Sequence, residues 1–233
     1  IKKDEIKQWG GLEILDNRYE CGHWIRRSLD NGKTWEAPVR TPVMTPHGPN
    51  VLSDGRLLFV GVEGVKRQPA QSQIAAVEST DNGKTWKTIA RINAYPPYPG
   101  TDPKGFCYLC EPHVVEVSPG RLLGMARYEE KPRPTDNRKS VLWQFTSEDG
   151  GRTWGEPVKT AIIGKPPHLM KLKDGRVLVS YGFRHAPYGE RACLSSDGGR
   201  TWDYKNELIL RDDGVSGDLG YPASAELEDG SLL

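Results

Sequence analysis

Short apolar runs alternate with glycine-rich polar turns along the whole chain. One such stretch reads LSDGRLLFV at 52–60, where an Asp-Gly turn precedes a strand-like apolar run, and related stretches follow at 117–125, 172–180 and 227–233. Short runs bounded by turn residues are typical of β-strands, and no long stretch shows the 3.6-residue period of an amphipathic helix. The pattern predicts an all-β fold built from antiparallel hairpins.

A second repeat, Ser-x-Asp-[Asn/Gly]-Gly-[Lys/Arg]-Thr-Trp, alternates with the first. Ser and Asp side chains bond nearby backbone groups and Gly supplies the positive φ of a tight turn, so each copy predicts a hairpin turn with a structural role. The tryptophan is expected to anchor the turn in apolar surroundings. The copies are SLDNGKTW at 28–35, STDNGKTW at 79–86, SEDGGRTW at 147–154 and SSDGGRTW at 195–202.

Together the two repeats define a unit of four antiparallel strands. The box serines are 51, 68 and 48 residues apart, a period typical of β-propeller blades that stack face to face. We predict one propeller domain over residues 1–233 that covers about four blades and is incomplete at both ends. The predicted units are part of blade 1 at 1–41, blade 2 at 42–104, blade 3 at 105–159, blade 4 at 160–212 and the start of blade 5 at 213–233.

Composition excludes some classes of partner. The 32 Lys and Arg residues balance 31 Asp and Glu residues, so no basic excess points to nucleic acid. No apolar run is long enough to span a bilayer. The Cys107–Cys110 pair is a weak metal signal without a second pair, so we expect free thiols or a short-range disulfide, and no metal or other cofactor.

In a four-stranded meander the turns alternate between the two ends of the blade, and this alternation predicts where a functional site can lie. Both repeated turns must lie at one end of the blades, so a site is expected at the other end, at the central mouth. Glu111 lies eight residues before Pro119 and Arg127 eight residues after it, which predicts that they are cross-strand neighbours. Tyr221 and Glu111 each lie nine residues before a turn glycine, so we expect them at equivalent heights around the axis.

Other polar residues are predicted near the same mouth. Arg184 falls at the top of the second strand of blade 4 or in the loop after it. Taken singly, an arginine at a strand end is usually a surface group. Two arginines together with a Glu and a Tyr at one mouth instead indicate a functional site. We expect His47, His113 and His168 to line the pocket, and the polar stretch 129–139 to form a loop at its rim.

With these residues in place, the chain resembles the bacterial exo-sialidase (neuraminidase) superfamily, whose six-bladed propeller carries Asp-box repeats. The resemblance extends over essentially all 233 residues. It depends on the ordered series of the Glu111–Arg127 blade, an arginine in blade 4, and GYPASAELEDG at 220–230. It implies that the complete protein is a six-bladed propeller.

The resemblance also implies roles for individual residues. Tyr221 would be the nucleophile, Glu111 the base that activates it, and Asp16 the acid/base. Arg127 and Arg184 would bind a substrate carboxylate, with Arg191 as the alternative to Arg184. The first arginine of the family's triad is expected upstream of residue 1.

The implied activity is retaining hydrolysis of terminal sialic acid from glycoconjugates. Two alternatives stay open: cleavage of another acidic glycoside on the same fold, and a non-catalytic glycan-binding propeller. We expect a secreted, periplasmic or cell-surface protein whose leader lies upstream of residue 1. The partner would be a sialylated glycan or another acidic glycoside.

Overall fold

The computed structural model describes residues 23–63, 73–96, 99, 104–132 and 141–233. In these ranges every regular element is a β-strand, apart from one short 3-10 helix at Tyr204–Asn206. No helix among the described residues is apolar and long enough to cross a membrane. The all-β prediction is confirmed.

The first two sheets lie in the N-terminal part of the chain. Two short strands, β3 and β4, both pair with β5, so they are pieces of one interrupted inner strand. The first sheet comprises β1 (His23–Ile25) and β2 (Val39–Thr41). The second comprises β3 (Val43–Met44), β4 (Asn50–Val51), β5 (Leu57–Glu63), β6 (Gln73–Ser79) and β7 (Lys87–Ile92).

The third and fourth sheets are four-stranded antiparallel meanders in which strand order follows chain order. The third comprises β8 (Phe106–Ser118), β9 (Arg121–Lys131), β10 (Val141–Ser147) and β11 (Val158–Ile163). The fourth comprises β12 (Pro167–Lys171), β13 (Val177–Phe183), β14 (Tyr188–Ser195) and β15 (Leu208–Gly214).

Two strands extend past the predicted blade boundaries. Strand β11 stays paired with β10 as far as Ile163, which lies opposite Val141. The predicted boundary between residues 159 and 160 therefore falls inside β11. Strand β15 likewise ends at Gly214, two residues beyond the predicted end of blade 4.

Successive sheets bury one another's faces. Neighbouring residues of a strand point to opposite faces, and β9 uses both. Leu122 packs with Leu58 and Phe145 in the apolar cluster shared with the second sheet. Leu123 packs with Val179 in the cluster shared with the fourth sheet. This stacking of blade on blade is the architecture that the repeats predict.

Inner strands of neighbouring sheets are joined by hydrogen bonds near the axis. The Thr45 hydroxyl donates to the Pro112 carbonyl (2.6 Å), and the Asn50 amide donates to the Val114 carbonyl (2.9 Å). These contacts place the inner strands side by side, as in a sialidase-like propeller. The blade count of the complete propeller stays a prediction.

The Ser-x-Asp boxes at 79–86, 147–154 and 195–202 join the third and fourth strands of their sheets, as predicted, and the box at 28–35 joins β1 to β2. In the box at 147–154, Ser147 Oγ accepts from the Gly151 amide (2.9 Å), and Asp149 accepts from the Thr153 amide (2.9 Å) and hydroxyl (2.6 Å). Hydrogen bonds from Thr153 lower the pKa of Asp149 to about 2. The prediction of an apolar anchor fails for Trp35, which is 54 % exposed beside the two-stranded first sheet.

Both kinds of turn lie at the same end of the blades. The Gly150 amide of a box donates to the Gly120 carbonyl of the hairpin turn in the same sheet (2.8 Å). Arg56 and Arg121, which follow turn glycines, donate to box carbonyls of the next sheet, at Gly150 (3.2 Å) and Gly198 (2.9 Å). The hydrogen bonds between these turns stabilise one end of the blades, so a functional site is expected at the opposite end.

Candidate active site

A β-bulge places Glu111 at the mouth. Arg127 pairs with Cys110 and Met125 pairs with His113, so β8 has one residue more than β9 between these pairs. The extra residue shifts the register by one, so Arg127 lies opposite Cys110 and its predicted cross-strand neighbour Glu111 is the next residue of β8. Glu111 has φ 49°, a left-handed backbone that is uncommon for residues with a side chain. The bulge re-aims its carboxylate, which lies 2.8 Å from Arg127 Nη1.

Tyr221 has the same unusual backbone as Glu111. Its φ is 67°, and Gly220 before it has φ 119°. The Tyr221 hydroxyl donates to Glu111 Oε1 at 2.8 Å, although 110 residues separate the two positions. Left-handed backbone at a bulky residue costs on the order of 1–3 kcal/mol and is concentrated at functional sites. Both members of this hydrogen-bonded pair are held in such a conformation.

The hydrogen bond gives the phenol proton of Tyr221 a defined acceptor in Glu111. Burial and the hydrogen bond to Glu111 raise the pKa of Tyr221 above its ordinary value. The hydroxyl is therefore protonated at neutral pH and needs a base to become a phenolate. Glu111 Oε1 is in hydrogen-bonding reach of that proton, which is the geometry required of a general base.

Arg127 lies between two carboxylates. Its Nη1 contacts Glu111 and reaches within 3.4 Å of the Tyr221 hydroxyl, and its Nε donates to Glu129 Oε1 at 2.7 Å. Burial disfavours the charged guanidinium, but Glu111 and Glu129 outweigh it and raise the pKa of Arg127. Lys165 Nζ lies 3.1 Å from the same Glu129 oxygen. Arg127 is thus held as a cation beside the Tyr221–Glu111 pair.

Of the two candidate arginines of blade 4, Arg184 lies beside Tyr221. It directly follows β13, its guanidinium carbon is 5.8 Å from the centroid of the Tyr221 ring, and its buried Nε has no hydrogen-bond partner among the described residues. Arg191 instead pairs with Glu207 (2.5 Å) and stacks 3.5 Å from the centroid of the Phe183 ring. Arg191 is therefore engaged in contacts within its own blade, whereas Arg184 is the arginine that lies beside the phenol.

The three predicted pocket histidines gather with one another. The ring centroids of His47, His113 and His168 lie 4.5–5.3 Å apart, one histidine coming from each of three successive sheets. The Leu169 amide donates to His113 Nδ1 (2.9 Å), and the Ser224 amide donates to His168 Nδ1 (3.4 Å). These rings link inner strands of neighbouring blades.

The hydrogen bonds also test whether the histidines could hold a metal ion. Their candidate ligand atoms all lie within 4.8 Å of one another. However, a neutral imidazole that accepts an N–H at Nδ1 carries its own proton on Nε2, which removes that lone pair from metal binding. His113 and His168 are both in this state, so the cluster fits hydrogen bonding between blades better than metal ligation.

The remaining predicted residues have different outcomes. Asp16 and Cys21 lie outside the described residues. Of the stretch predicted as a rim loop at 129–139, residues 129–131 belong to β9 and residues 133–139 lie outside the described part. Cys107, Cys110 and Cys193 are free thiols.

Two residues of the site, Glu129 and Lys165, are absent from the sequence predictions. Glu129 was assigned to the polar loop, yet it is only 5 % exposed. The sequence contained a signal for Glu129. It lies two residues after Arg127, so if the strand that contains Arg127 continues to residue 129, both side chains lie on the same face. Lys165 offers no such signal, since it reaches Glu129 from the segment between β11 and β12 of the neighbouring sheet.

Comparison with known proteins gives both sequence and structural relatives. A "Sialidase" of Bacteroides fragilis (strain YCH46) is 26 % identical over an alignment of 229 positions, which covers 87 % of this chain and 37 % of that protein. A solved protein of unknown function from Dyadobacter fermentans is 26 % identical with a TM-score of 0.69, covering 96 % of this chain and 62 % of its own. The chain thus spans less than two thirds of either relative.

Two further solved structures share the fold at lower identity. A mutant of the NanB sialidase from Streptococcus pneumoniae has a TM-score of 0.59 at 19 % identity, covering 90 % of this chain and 31 % of its own. A mutant α-L-arabinofuranosidase from Fusarium graminearum has a TM-score of 0.56 at 19 % identity, covering 83 % and 60 %.

The family model described as the BNR repeat-like domain matches residues 5–233, nearly the whole chain. Together with the sialidase relatives, it confirms the resemblance that the boxes and the ordered Glu–Arg and Tyr segments indicated. The chain belongs to the BNR repeat-like domain family, within the sialidase superfamily.

Proposed function

We propose that the complete protein is a glycoside hydrolase, and specifically a retaining exo-α-sialidase. The observation that carries this proposal is the 2.8 Å hydrogen bond from the Tyr221 hydroxyl to Glu111, beside the cation Arg127. Sialic acid bears a carboxylate on its anomeric carbon, so a carboxylate nucleophile would be repelled there. A neutral tyrosine that loses its proton as it attacks avoids that repulsion.

The proposed reaction has two steps. In the first, Tyr221 Oη forms a bond to the anomeric carbon, its proton passes to Glu111 Oε1, and the bond to the leaving oxygen breaks. An acid, for which Asp16 is the candidate, protonates that oxygen. In the second, water deprotonated by the same residue displaces Tyr221 from the anomeric carbon, which returns the proton held by Glu111 to the phenolate. Two inversions give net retention.

The positive groups of the site support an acidic substrate. Arg184 keeps its buried Nε without a partner near the Tyr221 ring, and guanidinium N–H groups suit a carboxylate. The proposed secreted, periplasmic or cell-surface location accords with a glycan substrate. Cleavage of another glycoside is the second candidate, because the α-L-arabinofuranosidase shares the fold.

The assay that tests the proposal uses the complete protein on matched fluorogenic substrates, a 4-methylumbelliferyl α-sialoside and the corresponding α-L-arabinofuranoside. We expect hydrolysis of the sialoside, with the α-anomer as the first product in a proton NMR time course. Hydrolysis of the arabinofuranoside alone would show that the proposed substrate is wrong and that the proposed class, glycoside hydrolase, is right. Binding of sialyl-lactose without turnover of either would leave a glycan-binding propeller.

Replacing Gly182 by alanine is expected to disturb the nucleophile through its backbone. A Cβ at Gly182 would lie 2.7 Å from Gly220 Cα and 2.9 Å from the Lys165 carbonyl oxygen. Both are backbone atoms, so the segment bearing Tyr221 must move. We expect turnover to fall about 100-fold, with unfolding free energy lower by about 1–3 kcal/mol.

The control for this variant is Gly48→Ala, whose added Cβ would meet no atom within 4 Å. Activity and urea unfolding should be measured on both variants. Gly48→Ala should match the parent protein. If Gly182→Ala lost stability and kept full turnover, Gly182 would not influence the position of Tyr221.

A further inference from the structure

A buried ion-pair network behind Arg127 takes no part in the proposed reaction. Glu129 is 5 % exposed and Lys165 is 9 % exposed. A single oxygen, Glu129 Oε1, lies 2.7 Å from Arg127 Nε, 2.5 Å from Arg127 Nη2 and 3.1 Å from Lys165 Nζ. Removing charges from water is costly unless they are paired. Buried charges with specific partners beside a mouth are typical of functional sites.

The network determines which edge of Arg127 faces the mouth. A two-bond contact with a carboxylate uses two parallel N–H groups on one edge of the guanidinium. The Nε–Nη2 edge is taken by Glu129, and Nη1 is directed at Glu111 and the Tyr221 hydroxyl. Arg127 is therefore oriented to hold the base beside the phenol.

The charges of the network also reach the phenol electrostatically. Glu129 is negative and Lys165 is positive, and both are connected to Tyr221 through Arg127. A negative charge near a phenol opposes its ionisation, and a positive charge favours it. The two residues should therefore influence Tyr221 in opposite directions.

We propose that Glu129 and Lys165 are positioning residues that orient Arg127 toward Glu111 and Tyr221 and balance the charge around that pair. This inference builds on the proposed function, but its electrostatic part can be measured without turnover. Lys165 lies in the segment that joins the third sheet to the fourth, and its backbone amide donates to the Gly182 carbonyl of β13 (2.9 Å), so the junction of these two sheets is part of the site.

The test uses Glu129→Gln and Lys165→Met in the complete protein containing 3-fluorotyrosine, whose phenol ionises at lower pH. The fluorine NMR signal of residue 221 is the one that disappears in Tyr221→Phe. We expect its pKa to fall in Glu129→Gln and to rise in Lys165→Met, by about half a unit or more in each case. Lys205→Met, at an exposed lysine, is the matched control and should change nothing.

The double variant covers the possibility that one unpaired buried charge prevents folding. Glu129→Gln/Lys165→Met removes both charges, so the residue 221 pKa should return close to the parent value. The kcat of the double variant should still fall about 10-fold, with KM within about twofold of the parent, because Arg127 loses the Glu129 carboxylate that orients it. An unchanged pKa in the single variants, or unchanged kcat in the double variant, would overturn the inference. Opposite pKa shifts without hydrolysis of any glycoside would support the positioning and refute the proposed function.

Discussion

Replacing Tyr221 by phenylalanine is expected to reduce sialoside turnover by about 1,000-fold or more, because the variant has no oxygen to attack the anomeric carbon. Glu111 would keep its bulge and its contact with Arg127 but would have no phenol proton to accept. Tyr221 is 48 % exposed, so loss of the hydroxyl should leave the unfolding free energy within about 0.5 kcal/mol of the parent.

A matched control is available on the same chain. Tyr204 is 45 % exposed and lies in the 3-10 helix, away from the charged groups of the mouth. Tyr204→Phe should keep full turnover. Equal activity of Tyr221→Phe and the parent protein would refute the nucleophile assignment. In an active parent, trapping by a 3-fluorosialosyl fluoride followed by peptide mass spectrometry should label residue 221.

The parts of the fold that repeat along the chain were predictable. The turn residues predicted the boxes and the hairpins. The alternation of turns between the two ends of a blade then predicted that Glu111 and Tyr221 lie at the same end. The equal spacing of these two residues from their turn glycines predicted equivalent heights around the axis. The left-handed backbone that they share and their hydrogen bond were seen only in the structure.

The features that break the repeat were not predictable in the same way. The bulge at Glu111 depends on one extra residue in β8, and only the following Pro112, which cannot donate to a sheet, hints at it. Glu129 was read as part of a polar loop because charged residues are seldom buried. The pairing of Glu129 with Arg127 could have been found from their spacing of two residues along one strand, but its pairing with Lys165, from the segment between β11 and β12, leaves no local signal.

The histidine cluster predicts that the protein loses stability in mild acid. Burial, aided by the neighbouring His168, lowers the pKa of His47 from 6.5 to about 4. Burial likewise lowers the pKa values of His113 and His168. A histidine that is neutral when folded and charged when unfolded gives full stability above pH 6.5, and that stability is lost as the pH falls toward 4.

The expected loss is large for a single domain. One pKa unit corresponds to about 1.4 kcal/mol, so His47 alone should remove about 3 kcal/mol of unfolding free energy between pH 6.5 and pH 4. The box carboxylates act in a separate window. The pKa of Asp149 is lowered from 3.8 to about 2, so its contribution is present above pH 3.8 and declines only below it. Acid sensitivity above pH 4.5 should therefore come from the histidines.

Urea unfolding of the parent and of His47→Gln from pH 7.5 to 4.5 tests this assignment. Glutamine is polar and does not titrate. The slope of unfolding free energy against pH should therefore be smaller in the variant by the equivalent of about one proton, or about 1.4 kcal/mol per pH unit. At pH 7.5 the variant should be no more stable than the parent, whereas at pH 4.5 the difference in unfolding free energy should shift in favour of the variant. Parallel curves for the two proteins would show that His47 does not stay neutral in the folded state. Because the rings of His113 and His168 accept amide hydrogen bonds from Leu169 and Ser224, their protonation should also weaken the contacts between the inner strands near Glu111.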